Sequence, residues 1–274
     1  MNRLSLARRT QIIGALVEGN SIRSTERMTD THRDTVMRLM VEVGEGCAKL
    51  MDGTMRDLSC RRIQVDEIWA YVQKKQRQVT KADDRSRVGD QWTFVALDPD
   101  TKLIPTWRVG KRDLPNATAF LTDLSGRLTN RVQLSSDALK AYVDATEQAF
   151  GADVDYGQAV KFYDADPVGP GRYSPPHVVH SERTSVVGRP DFAHISTSMV
   201  ERQNLTMRMS MRRFTRLTNA FSKKVENLRA AVNLHFAHYN MVRVHSSLRC
   251  TPAMEAGVSR HVWTLAELVS ATSN

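Results

Sequence analysis

The stretch that most constrains the fold is residues 62–72, where β-branched and aromatic apolar side chains dominate. Such a run predicts a buried strand, which needs neighbouring strands and a covering layer of helices. Two more strands are predicted over residues 91–97 and 103–109, which makes three successive antiparallel strands, with a turn at residues 98–101 between the last two. The sequence therefore predicts an α/β domain.

The rest of this region alternates helical and extended patterns. Residues 164–190 hold too many Pro and Gly residues for a regular element, so we expect a loop or small insertion there. The predicted elements are helix 115–128, strand 131–134, helix 138–150, strand 160–163, a long helix from about 198 with a break at 214–220, a second helical stretch at 223–239, and short helices opened by Thr251-Pro252 and Thr264. The order βββαβαβα, with the first strand central in a mixed sheet covered by helices, is that of the ribonuclease-H-like arrangement, whereas periodicity alone establishes only an α/β domain.

Three short helices are predicted within the first 50 residues, the third ending before Gly44. This pattern is typical of a helix-turn-helix, whose third helix would present Arg33, Thr35 and Arg38 to DNA bases. The alternative is a plain three-helix cap on the next domain. We expect a helix-turn-helix domain at residues 1–55, a catalytic domain at 60–240 and a helical C-terminal extension at 241–274.

The charge balance favours a polyanionic partner, since 39 Lys and Arg face 30 Asp and Glu, for a net charge of +9. The three cysteines lie far apart and form no disulfide or zinc-ligand pattern, which fits a reducing cytosol. No stretch reaches the roughly 18 uncharged apolar residues of a membrane span. We therefore expect a cytoplasmic protein with no membrane association.

Three carboxylates occupy positions that such a sheet would bring together: Asp66 within the first strand, Asp137 after the fourth, and Glu201 in the first turn of the long helix. Two Mg²⁺ ions that promote phosphoryl transfer need oxygen ligands of this kind, one bridging carboxylate and one more for each ion. The three acids are therefore candidate catalytic residues and metal ligands.

Each acid also has a structural explanation. Asp66 could face water on an edge strand, Asp137 could cap the following helix, and Glu201 could close a capping box with Ser198. Other acids, including Glu67, Asp144, Asp153 and Asp164, could take the same roles. From the residues alone, these alternatives stay open.

A basic segment follows Glu201, and between residues 201 and 230 only Glu201 and Glu226 are acidic. So many cations without acidic neighbours indicate phosphate contacts, although a solvated basic surface is the alternative. The candidate DNA-binding residues here are Arg202, Arg208, Arg212, Arg213, Arg216, Lys223 and Lys224.

Two histidine pairs, at residues 177 and 180 and at residues 235 and 238, have the spacing of metal ligands but no cysteine partners nearby. Packing or phosphate contact is the simpler explanation for both pairs. The sequence has neither a phosphate-binding P-loop nor a nucleophile elbow, which argues against ATP-driven and α/β-hydrolase functions.

The sequence resembles the DDE transposases of the insertion-sequence-one family over nearly its whole length. The resemblance rests on VDEIW at 65–69, SSDALKAY at 135–142, VERQNL at 200–205, RRFTRLTNAFSKK at 212–224, and a tail block with Tyr239-Asn240, Arg243, His245, Leu248 and Thr251-Pro252-Ala253. Shorter relatives carry a cysteine zinc finger and arise by translational frameshifting, and this chain shares neither feature.

The resemblance implies a ribonuclease-H-like core in which Asp66, Asp137 and Glu201 form the catalytic triad. It implies two Mg²⁺ ions, for which Mn²⁺ can substitute, and double-stranded DNA as partner, both at the element ends and in the target. It further implies a homo-oligomer in the active DNA complex and a place at the bacterial nucleoid. A catalytically inactive DNA-binding protein of transposase descent and a metal-dependent nuclease without strand transfer are the alternatives.

Overall fold

A computed structural model of the chain describes residues 4–164, 177–215 and 219–273. Its helices and strands, in chain order, are α1 (Leu6–Val17), α2 (Ile22–Thr29), α3 (Arg33–Thr54), β1 (Arg62–Val72), β2 (Gly89–Leu97), β3 (Trp107–Gly110), α4 (Leu114–Ser125), β4 (Val132–Ser136), α5 (Lys140–Phe150), β5 (Val154–Asp164), β6 (His177–Val187), α6 (Ser198–Ser210), α7 (Val225–Met241), α8 (Pro252–Glu255) and α9 (Leu265–Ala271). None of the helices in this part of the chain has both the length and the apolar character needed to cross a membrane.

The strands form one mixed six-stranded sheet in the order β3-β2-β1-β4-β5-β6. The pairs β1–β2, β2–β3 and β5–β6 are antiparallel, whereas β1–β4 and β4–β5 are parallel. The predicted α/β class is confirmed, and the central place of β1 is consistent with a ribonuclease-H-like core. A central strand is buried on both faces, which explains why β1 lacks the polar alternation of a half-exposed strand.

Helices cover the sheet on both faces. Phe94 of β2 contacts Phe120 of α4 and Tyr142 of α5, with ring centroids 5.8 and 6.3 Å apart. On the opposite face, the indole of Trp107 lies 4.9 Å from the ring of Phe236 in α7. Asp66 faces the α6 side and Glu67 the α4–α5 side, because successive side chains of a strand alternate.

Residues 177–187 form an edge strand, so the prediction of a loop over 164–190 is wrong for them. The Pro and Gly residues that favour a loop lie at 167–176, before the strand. β-Branched residues are frequent in the segment that follows them. Residues 165–176 of the predicted loop lie outside the described residues. The preceding strand, predicted at 160–163, begins at Val154 because it pairs with β4 from that residue onward.

The predicted strand at 103–109 begins only at Trp107, although Leu103 and Ile104 are buried. The buried amide of Asn240 in α7 explains this, since its Nδ2 donates to the Ile104 carbonyl at 2.9 Å and its Oδ1 accepts from the Ile104 N–H at 3.0 Å. A side chain thus satisfies the backbone groups that a neighbouring strand would otherwise pair.

Helix α3 continues for ten residues past Gly44, where the sequence predicts its end. A Cβ atom on Gly44 would lie 2.2 Å from the Ala230 carbonyl oxygen of α7, and one on Gly46 would lie 2.0 Å from the Thr272 carbonyl oxygen. These glycines therefore permit close helix packing rather than a helix end. The buried side chains of α1 and α3 join those of α7 and α9 in one continuous core, across the predicted domain bounds.

Candidate active site

The sheet topology brings the first two predicted acids together. Asp66 lies on β1, and Asp137 directly follows β4, its parallel neighbour. Gln64 pairs with Ser135, and this parallel register brings Asp137, just beyond the end of β4, close to Asp66. Because β1 has β2 on one side and β4 on the other, Asp66 does not lie on an edge strand.

A cavity of about 380 Å³ lies at this point of the sheet. Asp66, Asp137 and Glu201 all line it, together with Glu67, Ala138, Ala159, Lys161, Thr197, Asn204 and Arg208. The three acids named from the sequence therefore share one cavity. Four carboxylates and two cations make it strongly polar.

The tightest group within the cavity is Asp66, Glu67 and Asp137, with one carboxylate oxygen of each lying within 4.8 Å of the others. Among the described residues, no other group of three His, Cys, Asp or Glu side chains lies so close. Burial raises the pKa of Asp66 to about 7, and repulsion from Glu67, Asp137 and Glu201 adds to the effect. A divalent cation would offset this repulsion, so the donor set fits Mg²⁺ or Mn²⁺.

Glu201 lines the same cavity from α6 but does not belong to that tight group. Its Oε1 accepts a hydrogen bond from Thr197 Oγ1 at 2.6 Å and forms an ion pair with Lys161 of β5. Gln64 positions the start of α6, because its Oε1 accepts from the N–H groups of Met199 and Val200 at 2.9 and 3.2 Å.

The structure does not support the capping explanations for Asp137 and Glu201. Helix α5 has Leu139 as its N-cap, and Asp137 instead accepts the Leu139 N–H at 3.0 Å in a turn before the helix. The N-cap of α6 is Thr197, whose side chain does not cap the helix, and Gln64 rather than Glu201 accepts the first N–H groups. The carboxylates of both residues therefore face the cavity rather than a helix end.

Arg112 links two of the clustered acids and was not identified from the sequence. Its Nε donates to Glu67 Oε1 at 2.5 Å, and its guanidinium lies 3.7 Å from Asp137 Oδ2 and 4.9 Å from the centre of the Trp92 ring. Glu67 is buried and also accepts from Tyr142 Oη at 3.0 Å. Burial and the nearby Asp137 raise the pKa of Glu67, and Arg112 opposes that rise. Nothing in a single sequence marks an arginine in a short loop for this position.

Asn204 is a second residue that sequence reasoning missed, although a signal was present. Its Nδ2 donates to Asp66 Oδ2 at 2.8 Å, which fixes one oxygen of the carboxylate. Asn204 lies three residues after Glu201, so the two side chains share one face of α6. That spacing alone indicated that both would reach the same site.

The candidate DNA-binding residues divide by location. Arg33 and Arg38 are exposed at the start of α3, where Thr35 is half-buried. Arg208 lines the acidic cavity, whereas Arg202 on α6 and Lys223 and Lys224 before α7 are exposed. Arg216 lies outside the described residues.

Two of these arginines do not lie where the sequence places them. Helix α6 ends at Ser210, so Arg212 lies in a short 3₁₀ turn (Arg212–Phe214) rather than on the helical face of Arg208. The turn allows Met211 and Phe214 to be buried together. Arg213 points toward Met40 of α3, and burial lowers its pKa to about 10. This position favours a packing role for Arg213.

Comparison with known proteins gives few matches. The chain matches no family model, and no curated protein matches its sequence. It is similar to the Mos1 transposase paired-end complex with the left transposon end, at 13% identity and a TM-score of 0.22, over 54% of this chain and 57% of that chain. It is also similar to the Mos1 strand transfer complex, at 14% identity and a TM-score of 0.23, over 56% of this chain and 58% of that chain. Each alignment thus spans less than two thirds of the Mos1 chain, and we base the proposed function on the residues of the site.

The raised pKa of Asp66 predicts that the contribution of this residue to stability falls as pH rises. Between about pH 4 and 7 the Asp66 carboxyl is ionised in the unfolded chain but protonated in the folded protein, so its contribution to the free energy of unfolding decreases across this range and levels off above it. We expect this contribution to fall by about 2 to 4 kcal/mol between pH 5 and pH 8 in the presence of EDTA, measured as the difference in urea unfolding between the wild type and Asp66→Asn. The difference is needed because His235 and His238, whose pKa values are lowered by burial, change stability in the opposite direction in both proteins.

Asp66→Asn keeps an acceptor for Asn204 and removes the charge, so it should remove most of this pH dependence and stabilise the protein at pH 8. Asp144→Asn, which changes an exposed acid on α5, is the matched control and should behave as the wild type. An unchanged pH profile in Asp66→Asn would show that the site does not destabilise the folded protein.

Proposed function

We propose that this chain is a DNA transposase of the DDE class, which binds the terminal inverted repeats of an insertion sequence and catalyses metal-dependent 3′-end cleavage and strand transfer. The observation that carries the proposal is the convergence of Asp66, Asp137 and Glu201 on one cavity. They come from a central strand, its parallel neighbour and the helix packed on them. Basic residues near that cavity supply the charge that DNA requires.

Asp66, Asp137 and Glu201 would hold the two Mg²⁺ ions, or Mn²⁺ in their place. Metal ions held there would supply activation of the attacking water or 3′-hydroxyl and stabilisation of the leaving oxygen. Asn204 orients Asp66 through its hydrogen bond, and Arg112 holds Glu67 and lies beside Asp137. Lys161 holds Glu201 at the cavity wall through an ion pair.

The proposal is tested with DNA taken from each side of the coding sequence, where the inverted repeats of such an element lie. The measurement follows the cleavage and joining of this DNA. With Mg²⁺, the protein should expose 3′-hydroxyl ends and join them to a second labelled duplex. Cleavage without joined products would indicate a nuclease, and binding without cleavage would indicate an inactive DNA-binding protein. A sedimentation measurement of the DNA complex tests the proposed homo-oligomer.

The DNA-binding part of the proposal rests on Arg208 in the cavity and on Arg212 in the turn after α6. If each contacts a phosphate, Arg208→Ala and Arg212→Ala should each weaken binding to all DNA sequences and reduce the slope of log K against log salt by about one unit. Fluorescence anisotropy over a salt series measures this slope. Arg260→Ala, which removes an exposed arginine from the C-terminal part of the chain, is the control. Slopes equal to that of the control would exclude these arginines as phosphate contacts.

A further inference from the structure

The connection between β1 and β2, residues 73–88, is the most basic loop of the described chain that lies outside the predicted DNA-binding residues. Within these 16 positions the chain has six basic and two acidic residues. The basic ones are Lys74, Lys75, Arg77, Lys81, Arg85 and Arg87. We call this segment the basic arm.

Most cations of the basic arm have no internal role. Lys74 lies 2.8 Å from Asp83 Oδ1, and Arg87 forms an ion pair with Glu226. In contrast, Lys75, Arg77, Lys81 and Arg85 are exposed, and none of them forms an ion pair with a described residue. Clustered, unpaired surface cations repel one another and therefore favour a polyanion as partner.

The basic arm meets the start of α7, which adds further positive charge. The Gln73 N–H donates to the Ser222 carbonyl at 2.8 Å, and Val72 forms a bridge with Ser222. A cavity of about 580 Å³ opens at this junction, with Arg87, Lys223 and Lys224 in its lining. Glu226 in the first turn of α7 also lines the cavity and pairs with Arg87, so the positive charge of this junction comes from Lys223 and Lys224.

The distance between this junction and the acidic cavity corresponds to a short stretch of duplex DNA. Asp66 and Val72 are six residues apart on the same strand, which corresponds to about 20 Å at roughly 3.3 Å per residue. In duplex DNA the same length is about six base pairs, at about 3.4 Å each. A duplex with one phosphate at Asp66 can therefore reach the basic arm along the direction of β1.

We propose that the basic arm, with Lys223 and Lys224, is a second contact surface for the DNA backbone, about six base pairs from the phosphate at the acidic cavity. The position of the reacting phosphate in this inference rests on the proposed function, whereas the contact between arm and DNA does not. The surface would bind DNA of any sequence, since its cations contact phosphates rather than base edges. An acidic segment of another protein is the competing partner.

Two triple variants with equal loss of charge test the inference. The arm variant combines Lys75→Ala, Arg77→Ala and Lys81→Ala. The control variant combines Lys49→Ala, Arg61→Ala and Arg260→Ala, all exposed and outside the arm, with Arg61 just before the opposite end of β1. Binding of a labelled 30-base-pair duplex of arbitrary sequence is measured over a salt series in EDTA, so that the result does not depend on metal or catalysis.

The arm variant should bind at least about tenfold more weakly than the control variant, with a salt slope lower by about two to three units. Equal affinity and equal slope in the two variants would overturn the inference, as would a loss of association with an acidic protein but not with DNA. If the wild type cleaves no DNA with Mg²⁺ while the arm variant still loses affinity, the second DNA contact stands and the transposase proposal fails. If the wild type and the arm variant both cleave DNA and bind it with equal affinity, the second DNA contact fails and the transposase proposal stands.

Discussion

Asp137→Asn is expected to reduce Mg²⁺-dependent cleavage and joining of DNA by about 10³-fold or more while DNA binding is retained or becomes tighter. The carboxylate of Asp137 lies within 4.8 Å of those of Asp66 and Glu67, and the proposed function requires its charge to hold metal. A 10³-fold loss corresponds to about 4 kcal/mol of activation free energy, which is reasonable for a metal ligand. Removal of a negative charge beside the DNA backbone also lowers repulsion, which explains the retained affinity.

Rates of single-turnover cleavage, with DNA affinity measured in parallel, separate these two effects. Asp144→Asn is again the control, because it removes one carboxylate from an exposed position on α5, in the helix that follows Asp137. Normal strand transfer by Asp137→Asn in Mg²⁺ would refute the catalytic role of this residue. Loss of DNA binding in parallel with cleavage would assign Asp137 to folding or binding instead.

Elements whose own residues determine their ends were predicted well from the sequence. Strand β1 covers residues 62–72 as expected, because its apolar side chains must be buried on both faces of the sheet. The final helix begins after Thr264, whose side chain forms the capping box with Glu267. In both cases the signal is local, so no knowledge of the tertiary structure is needed.

Elements that depend on distant contacts were not predictable in this way. Gly44 resembles a helix end, and only the closeness of α7 shows why a glycine lies in the middle of α3. Likewise, the short β3 depends on Asn240, which lies more than 130 residues away in the chain. Such positions carry no periodic signal, because the partner that determines them is not a sequence neighbour.

The candidate site shows the same division. Asp66 and Asp137 were expected to lie close together, and they do so because β1 and β4 are parallel neighbours and Asp137 follows the end of β4 beside the middle of β1. Glu67 was expected only as one of several competitors for these roles, and the alternation of strand side chains directs it to the face opposite Asp66. Its carboxylate joins the cluster because Arg112 and Tyr142 hold it near Asp137. Those two contacts come from other elements, and strand alternation alone gives no hint of them.

Gly44→Ala is expected to destabilise the protein by about 2 to 3 kcal/mol, although alanine is the better helix former. The new methyl group would lie 2.2 Å from the carbonyl oxygen of Ala230, and a backbone atom within α7 cannot rotate away as a side chain can. Helices α3 and α7 would have to separate and lose contacts along their interface. This cost exceeds the gain of about 1 kcal/mol that alanine gives over glycine within a helix.

Gly53→Ala provides the matched control on the same helix, because nothing lies within 4 Å of the methyl group it adds. This change should stabilise the protein by about 0.5 to 1 kcal/mol. Urea unfolding of the two variants should therefore give shifts of opposite sign relative to the wild type. Equal shifts would mean that α3 and α7 do not pack closely at Gly44, and the N-terminal helices would then be free to form the separate domain that the sequence predicts.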